Sequence, residues 1–310
     1  MKNDKMLSHH GENSGNQHKN YPNETIKLLF TRASCRNFSK KKISHDILQY
    51  ILEAGIHSPT GGNLQPYSII KVENSETKQK LAELCGKQNF ISAAPVNLLF
   101  CIDWHRIERW AKLEAAPFTA TSSFRHFWIS FQDTIICAQN ICTVADSLGL
   151  GSVYVGTVLE SFLEIKELFQ LPKGVFPVVL LSLGYPETRA LSRRKLGVDV
   201  IVHNERYHEI TDQKLVDAFN EKYYGLKMKI TEERLNAIAS VAREVHGKGF
   251  AKKCVEQIRK NGYINWAQQY FGIHYPANYM PKDNDTYMKL MEEFGFNWFK
   301  KYYPLEDKEK

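Results

Sequence analysis

Residues 58–67 read Ser58-Pro59-Thr60-Gly61-Gly62-Asn63-Leu64-Gln65-Pro66-Tyr67 and lie between a helical pattern and an apolar strand. The prolines fix backbone angles, and the adjacent glycines let the backbone approach another surface closely. The pattern predicts a shaped loop that presents the amides of Asn63 and Gln65. Taken alone, the same residues are equally typical of a structural turn, so their meaning depends on the segments around them.

Helical and strand patterns alternate on both sides of this loop. Strands are predicted over residues 67–72, 95–102 and 177–185. The longest helical pattern, residues 126–148, is apolar almost all round, which predicts burial on every side, in the core or in an oligomer interface. Because no GxGxxG turn follows the first strand, the alternation does not predict a Rossmann nucleotide site.

Composition and charge exclude several classes of function. The 310 residues include 41 basic and 34 acidic side chains, spread along the chain without the basic stripe that nucleic-acid binding leaves. Apolar stretches such as residues 175–183 are too short to span a membrane, and the first residues lack the apolar centre of a signal peptide, so a cytoplasmic protein is expected. The six cysteines form no CxxC pair or zinc spacing, so neither disulfides nor a metal site are expected.

Two basic segments and one glycine-rich segment are candidate ligand contacts. Arg32, Ser34 and Arg36 alternate, so an extended segment would place them on one side. Guanidinium groups and a hydroxyl suit a phosphate, although a solvated basic turn would carry the same residues. Residues 193–195 form a second basic stretch, and the glycines within residues 149–156 could admit a flat ligand.

Four segments, in this order, resemble motifs of the nitroreductase-like flavoprotein family. Residues 32–38 are similar to its R-x-S-x-R/K-x-F motif. Residues 58–67 resemble its S-P-S-x-x-N-x-Q-P-W loop, with Tyr67 in place of the usual tryptophan. Residues 149–156 resemble its G-L-G-S-x-x-x-G segment, and residues 171–186 its L-P-x-G-x-x-P-V-x-L-L-x-L-G-Y-P strand.

The resemblance covers about residues 25–210 and implies an α+β fold with a central, mainly antiparallel sheet flanked by helices. It further implies a homodimer with FMN at the interface. NADH or NADPH would give a hydride to FMN, which would pass it by a ping-pong mechanism to a small electron-poor acceptor, such as a nitroaromatic or a quinone. The flavin carries this reaction, so no catalytic side chain is required. Two alternatives stay open: another FMN reaction, such as dehalogenation, enone reduction or dehydrogenation, and a non-catalytic flavin- or partner-binding module.

The resemblance also assigns FMN contacts to residues of this chain. Arg32, Ser34 and Arg36 would hold the phosphate and the ribityl chain, and Arg194, helped by Arg193, would form a second phosphate clamp. Pro59, Thr60 and Asn63 would reach the flavin from the partner subunit. Gln88 would contact the polar edge of the ring, and Val155 and Gly156 would offer backbone contacts at its redox edge.

Three parts of the chain are predicted. Residues 1–22 are a polar, disordered arm, residues 23–210 form the FMN-binding domain, and residues 211–310 form a helical, aromatic-rich C-terminal extension. Thirteen aromatic residues between Tyr263 and Tyr303 favour an extension that packs down rather than a free tail. Helices are predicted in it over residues 212–224, 232–246, 250–260 and 286–301.

Overall fold

The computed structural model describes residues 20–303, so residues 1–19 of the predicted arm lie outside the described residues. The described chain divides into two compact units. The sheet unit contains residues 21–192 and 285–303, and the helical unit contains residues 193–284. The chain therefore changes units at residues 192/193 and returns at 284/285, whereas the sequence predicted a C-terminal extension that begins at residue 211.

Within residues 20–303 the sheet unit has four strands in the order β1-β2-β4-β3. They are β1 (Tyr67–Val72), β2 (Val96–Asp103), β3 (Gly151–Val155) and β4 (Val175–Gly184). Every neighbouring pair is antiparallel, with Tyr67 opposite Ile102, Val96 opposite Leu183 and Gly151 opposite Gly184. The predicted α+β fold with an antiparallel sheet is confirmed.

The two central strands carry the core of the sheet. Every residue of β2 and β4 is buried, as continuous apolar runs predict for strands covered on both faces. Pro177 lies inside β4 opposite Cys101, where the register of β2 shifts. Because proline has no N–H to donate, an irregular position of this kind is where a central strand can accommodate it.

Helices cover the sheet and form the second unit. The α-helices within residues 20–303 are α1 (Glu24–Thr31), α2 (His45–Ile56), α3 (Ser75–Leu84), α4 (Asn89–Ala93), α5 (Trp104–Leu113), α6 (Phe124–Ser147), α7 (Phe162–Leu168), α8 (Val198–Ile201), α9 (Asp212–Lys222), α10 (Glu232–Asn261), α11 (Trp266–Gln269) and α12 (Asn284–Glu293). Several begin at a side chain that accepts a backbone N–H of the first turn, such as Asn23, Ser44 and Ser123. In the described part of the chain, none of these helices is long and apolar enough to cross a bilayer.

The protomer by itself does not bury α6 on every side. One face carries an aromatic ladder of Phe124, Trp128 and Phe131, whose side chains are 53%, 52% and 37% exposed. Their rings follow one another at centroid distances of 6.0 and 6.2 Å. The opposite side of α6 is buried against the sheet and α2. The apolar residues that this packing does not use, including the aromatic ladder, therefore face outwards. An oligomer interface, the other option for this helix, stays open.

The C-terminal segment of the chain returns to the core of the sheet unit. The helix predicted over residues 286–301 ends early, at Glu293, because Gly295 has a left-handed φ of 84° that turns the chain. The turn inserts Phe294 and Phe296, both fully buried, and Phe294 packs 5.1 Å from the ring of Phe176 in β4. The predicted packing of the aromatic-rich end is confirmed for these residues.

Replacing Phe294 with alanine is expected to lower the free energy of unfolding of the sheet unit by about 3 to 5 kcal/mol, because the change leaves a cavity between the rings of Phe162 and Phe176. The measurement is the urea midpoint followed by far-UV circular dichroism. The control is Tyr302→Ala at a 56% exposed position, which should shift stability by less than about 0.5 kcal/mol. Equal midpoints for both variants would contradict the role of Phe294 in the core.

The helical unit has a small core of its own. Leu235 and Ile238 cluster with Ile258, although about 30 Å would separate positions twenty residues apart along one straight helix. Gly247, with φ 85° and ψ 173°, interrupts α10 and lets its two halves fold back on each other. The two helices predicted over residues 232–246 and 250–260 correspond to these halves. A backbone bridge between Met228 and Ile264 closes the unit beside them.

Candidate functional site

The basic segment after α1 lies against the edge strand β3. The N–H of Cys35 donates to the carbonyl of Ser152 at 2.9 Å, and Cys35 is buried while Ser34 and Arg36 are exposed. Gly151 makes this approach possible, since a Cβ there would stand 2.6 Å from the Cβ of Cys35. The extended segment predicted from the sequence is thereby held in place with Ser34 and Arg36 available to a ligand.

Arg32 is held by a buried acid that the sequence analysis missed. Its Nε donates to Oδ2 of Asp146 at 2.9 Å, and Nη2 donates to Oγ of Ser152 at 3.2 Å. Asp146 has a side chain only 3% exposed, and burial raises the pKa of its carboxyl while Arg32 opposes that shift. Nη1 of Arg32 makes no hydrogen bond within the described residues, so this guanidinium is oriented but keeps donors for a ligand.

Asp146 could have been found from its position in the helical pattern. It follows Cys142 by four residues and adjoins Ala145, so it falls on the apolar stripe of α6 that packs into the core. A carboxylate on such a stripe requires a cationic or hydrogen-bonding partner, because an unpaired buried charge is costly. The sequence leaves open which of its many cations is that partner.

The loop of residues 58–67 is fixed at the other end of α6. Both carboxylate oxygens of Asp133, a buried polar residue of α6, accept the N–H of Gly61 at 3.1 Å. Asn63 and Gln65 have left-handed φ values of 54° and 51°. Gln65 is held by its amide, which donates to the carbonyl of Ile56 at 2.9 Å. The strained loop therefore has a defined shape.

Asn63 differs from Gln65 in what its side chain does. The amide of Asn63 is exposed and makes no hydrogen bond within the described residues, whereas that of Gln65 is used inside the loop. The structure thus places Pro59, Thr60 and Asn63 together at the loop surface. Gln65, which the sequence pattern also presented as an available amide, serves the loop itself.

One protomer does not bring the loop and Arg32 together. Gly61 is tied to Asp133 and Arg32 to Asp146, and these two anchors are thirteen residues apart on α6. At 1.5 Å per residue they are separated by about 20 Å along the helix. The two groups of predicted ligand residues therefore lie at opposite ends of α6.

Gln88 and the end of β3 form the third part of the site. The amide nitrogen of Gln88 donates to the carbonyl of Cys85 at 2.8 Å and to Oγ1 of Thr157 at 2.9 Å, leaving its Oε1 as an acceptor. Val155 is buried through its side chain, whereas a Cβ at Gly156 would meet open space. Gln88 thus holds the turn that follows β3 and leaves room for a ligand over Gly156.

Arg36 reaches towards the same part of the molecule. Its guanidinium lies 5.8 Å from the ring centroid of Phe90, at the start of α4 just after Gln88. We call the surface formed by Arg32, Ser34, Arg36, Gln88 and Gly156 the β3 rim, because each lies on or beside segments that contact β3 or the turn after it.

Arg193 and Arg194 belong to the helical unit. The Nη1 of Arg194 donates to the carbonyl of Glu221 at 3.4 Å, and its guanidinium lies 5.3 Å from the ring centroid of Tyr224. Arg193 is exposed. Their assignment as a second phosphate clamp stays a prediction.

The described residues include all six cysteines as free thiols, and no His, Cys, Asp and Glu side chains among them are grouped as metal ligands. Within residues 20–303, no group of three or more His, Cys, Asp or Glu side chains is arranged to hold a metal ion. All six cysteines are free thiols, and five of them are buried. Burial raises the pKa of these thiols, as for Cys85, where it reaches about 12, so they are protonated and poorly nucleophilic at neutral pH.

The fold and the β3 rim define an α+β protein whose antiparallel sheet carries arginines, a free hydroxyl and an open glycine along one edge. Residues 29–185 match the model of the Nitroreductase family. The chain is 33% identical over 228 residues to an FMN reductase [NAD(P)H] of Bacillus subtilis, covering 70% of this chain and 90% of that protein. It is 30% identical over 228 residues to an NADPH-flavin oxidoreductase of Vibrio harveyi, covering 73% and 91%. The chain belongs to the Nitroreductase family.

Solved structures support the same assignment. NfrA2 of B. megaterium superposes with a TM-score of 0.68 at 27% identity, covering 90% of this chain and all of that one. The NADPH:FMN oxidoreductase of Vibrio harveyi, solved in complex with NAD+, superposes with a TM-score of 0.61 at 30% identity, covering 65% and 86%. The resemblance drawn from four sequence segments is confirmed.

Proposed function

We propose that this protein is an FMN-dependent NAD(P)H oxidoreductase that reduces a small electron-poor acceptor. The observation that carries the proposal is Arg32, oriented by a buried carboxylate towards a rim where Ser34 and Arg36 are exposed. The relatives named as FMN reductase and NADPH-flavin oxidoreductase support the same chemistry. The acceptor class, a nitroaromatic or quinone, and the cytoplasmic location stay predictions.

The residues of the β3 rim fit FMN. A phosphate requires fixed cationic donors, which Arg32 and Arg36 offer, and Ser34 adds a hydroxyl that makes no hydrogen bond within the described residues. A flat ring requires space beside the backbone, which Gly156 leaves open. Gln88 offers an acceptor, its Oε1, for a polar N–H edge. When bound, FMN supplies the redox chemistry, taking a hydride from NAD(P)H and giving it to the acceptor in a separate step.

The side chains of this protein would bind and orient rather than react. Asp146 and Ser152 hold Arg32, so its remaining donors meet a phosphate without rearrangement. Backbone groups at Val155 and Gly156 would contact the ring beside its redox edge, and amide donors there would stabilise negative charge. This arrangement requires no nucleophile and no acid/base pair, because the flavin carries the reaction.

We further propose that the enzyme is a homodimer in which each FMN site takes Pro59, Thr60 and Asn63 from the partner. Two observations support it. The loop lies about 20 Å along α6 from the arginine that would bind the same cofactor. In addition, the aromatic ladder of α6 exposes three large rings, and a contiguous apolar surface of this kind marks an interface.

The purified protein is expected to be yellow, with the absorption of bound flavin, and to bleach when NADH or NADPH is added without oxygen. Bleaching follows from hydride transfer to the flavin, and adding a quinone should restore the colour through the second half of the cycle. The measurement is an anaerobic absorption titration with each nicotinamide in turn. A colourless protein that takes up no added FMN would contradict the proposal, as would bound FMN that neither nicotinamide reduces.

A further inference from the structure

A cavity lies wholly within the helical unit and shares no lining residue with the β3 rim. Its volume is about 530 Å³, which falls in the range of small-molecule sites. Its walls are the two halves of α10, which Gly247 separates, and the segment around Phe271. Because all lining residues fall between 238 and 277, one compact unit builds the cavity.

The two halves of α10 face the cavity with matched stripes of different chemistry. Ile238, Val241, Ala242 and Val245 line it from the first half with the spacing of one helix face, and all four are apolar. The second half repeats that spacing with Phe250, Lys253, Cys254 and Gln257. The stripe of the first half, which ends beside His246, is therefore apolar, and that of the second half is mixed. This combination suits a ligand with an apolar body and a polar end.

Three apolar side chains that line the cavity are about half exposed to solvent. Phe250, Phe271 and Val245 are 49%, 51% and 41% exposed, although each lines a concave surface. Covering apolar area is favourable, so an occupant would gain from these contacts. Gly272 allows its segment to pack closely against the first half of α10, since a Cβ at this position would lie 2.8 Å from Cγ1 of Ile238.

The charge of the cavity lining has one sign. Lys253 is the charged residue of the lining, and no acidic side chain is among the lining residues. Within residues 20–303 Lys253 forms no ion pair, whereas the adjacent Lys252 pairs with Glu256 at 3.9 Å and does not line the cavity. An uncompensated ammonium at the rim of an apolar cavity favours an anionic group on the ligand.

We propose that this cavity is a binding site for an organic acid with an apolar chain, whose carboxylate contacts Lys253 and whose chain packs between the two halves of α10. The assignment rests on the cavity, its two unlike walls and its unpaired cation. It is independent of the flavin chemistry, since none of the β3 rim residues takes part.

The probe is dodecanoate, titrated calorimetrically into the full-length protein below its micelle concentration. Wild type should bind it, and Lys253→Gln should bind about tenfold more weakly, because the carboxylate loses its cation. Lys252→Gln is the matched control from the same turn, with an unchanged affinity expected. Dodecanol should bind wild type and Lys253→Gln equally, since it carries no charge.

Cys254 provides a second readout within the cavity. It is the one cysteine of the chain that is not buried, so iodoacetamide should alkylate it first, and dodecanoate should slow that reaction. Ala267→Phe, at an exposed lining position, should fill the cavity and abolish both dodecanoate binding and the protection of Cys254.

Three results would overturn the assignment. The first is no binding of dodecanoate to the wild type, and the second is equal affinity in the two lysine variants. The third is an Ala267→Phe protein that binds dodecanoate as before but changes its sedimentation, which would make the cavity an interface between copies. Folding of each variant is checked by circular dichroism, and the titration needs no flavin turnover.

Discussion

Replacing Arg32 with alanine is expected to weaken FMN binding by roughly 10- to 100-fold and to destabilise the protein by about 3 to 5 kcal/mol. The first effect follows from losing a charge-assisted bond to the phosphate. The second follows from Asp146, whose 3% exposed carboxylate would lose its cation. The measurements are the dissociation constant of FMN, from flavin fluorescence, and the urea midpoint of the apoprotein.

A double variant separates the two effects. In Arg32→Ala with Asp146→Asn no buried charge is left uncompensated, so most of the lost stability should return. Binding of FMN should stay as weak as in the single variant, because the phosphate still lacks its donor. If Arg32→Ala retains full FMN affinity, or if the double variant recovers it, then Arg32 serves only to neutralise Asp146 and the phosphate assignment is wrong.

Replacing Trp128 with glutamate is expected to give a monomer that has lost FMN. Trp128 is the middle ring of the aromatic ladder and is 52% exposed, so the change should leave the protomer folded. A charge in the apolar centre of an interface should weaken association by roughly 100-fold. Flavin should be lost together with the dimer, since the proposed site combines Arg32 of one subunit with the loop of the other, two segments held at opposite ends of α6.

Sedimentation velocity and flavin absorbance on the same samples test this prediction. The control is Leu163→Glu, which places the same charge at a 42% exposed leucine of α7, away from the ladder, and should leave a yellow dimer. A monomeric Trp128→Glu protein with full FMN affinity would mean that one protomer completes the site. A dimer that survives the substitution would place the interface on another surface.

Most helices and strands could be predicted because their causes are local. The side chains of Asn23, Ser44 and Thr231 cap the helices that follow them, and the apolar runs of β2 and β4 form the buried central strands. The C-terminal end of α12 could not be predicted from such local signals. Its pattern continues beyond Glu293, but Gly295 turns the chain so that two phenylalanines enter the core.

The environment of α6 shows the limit of reading a pattern. An apolar helix surface predicts burial but does not tell whether the rest of the protomer or a second subunit covers it. A helix in the core and a helix in an interface therefore show the same apolar pattern. The packed protomer exposes the ladder and buries the other side. The same holds for Asp146, because a buried acid on α6 predicts a partner, whereas only the fold places Arg32, 114 positions earlier, at 2.9 Å.

The sequence by itself determined the family, the α+β class, and the residue types that would meet a phosphate and a flat ring, because these depend on short segments with fixed spacing. Only the tertiary structure decided that Asp146 orients Arg32 and that Gln65 serves its own loop. It also placed the anchors of Gly61 and Arg32, which are Asp133 and Asp146, about 20 Å apart along α6. It also decided that the two halves of a folded-back α10 line a cavity, one with an apolar stripe and the other with a mixed stripe that contains Lys253. The physical reason is distance in the chain: local propensity and periodicity act over a few residues, whereas these contacts join segments whose meeting depends on packing of the whole unit.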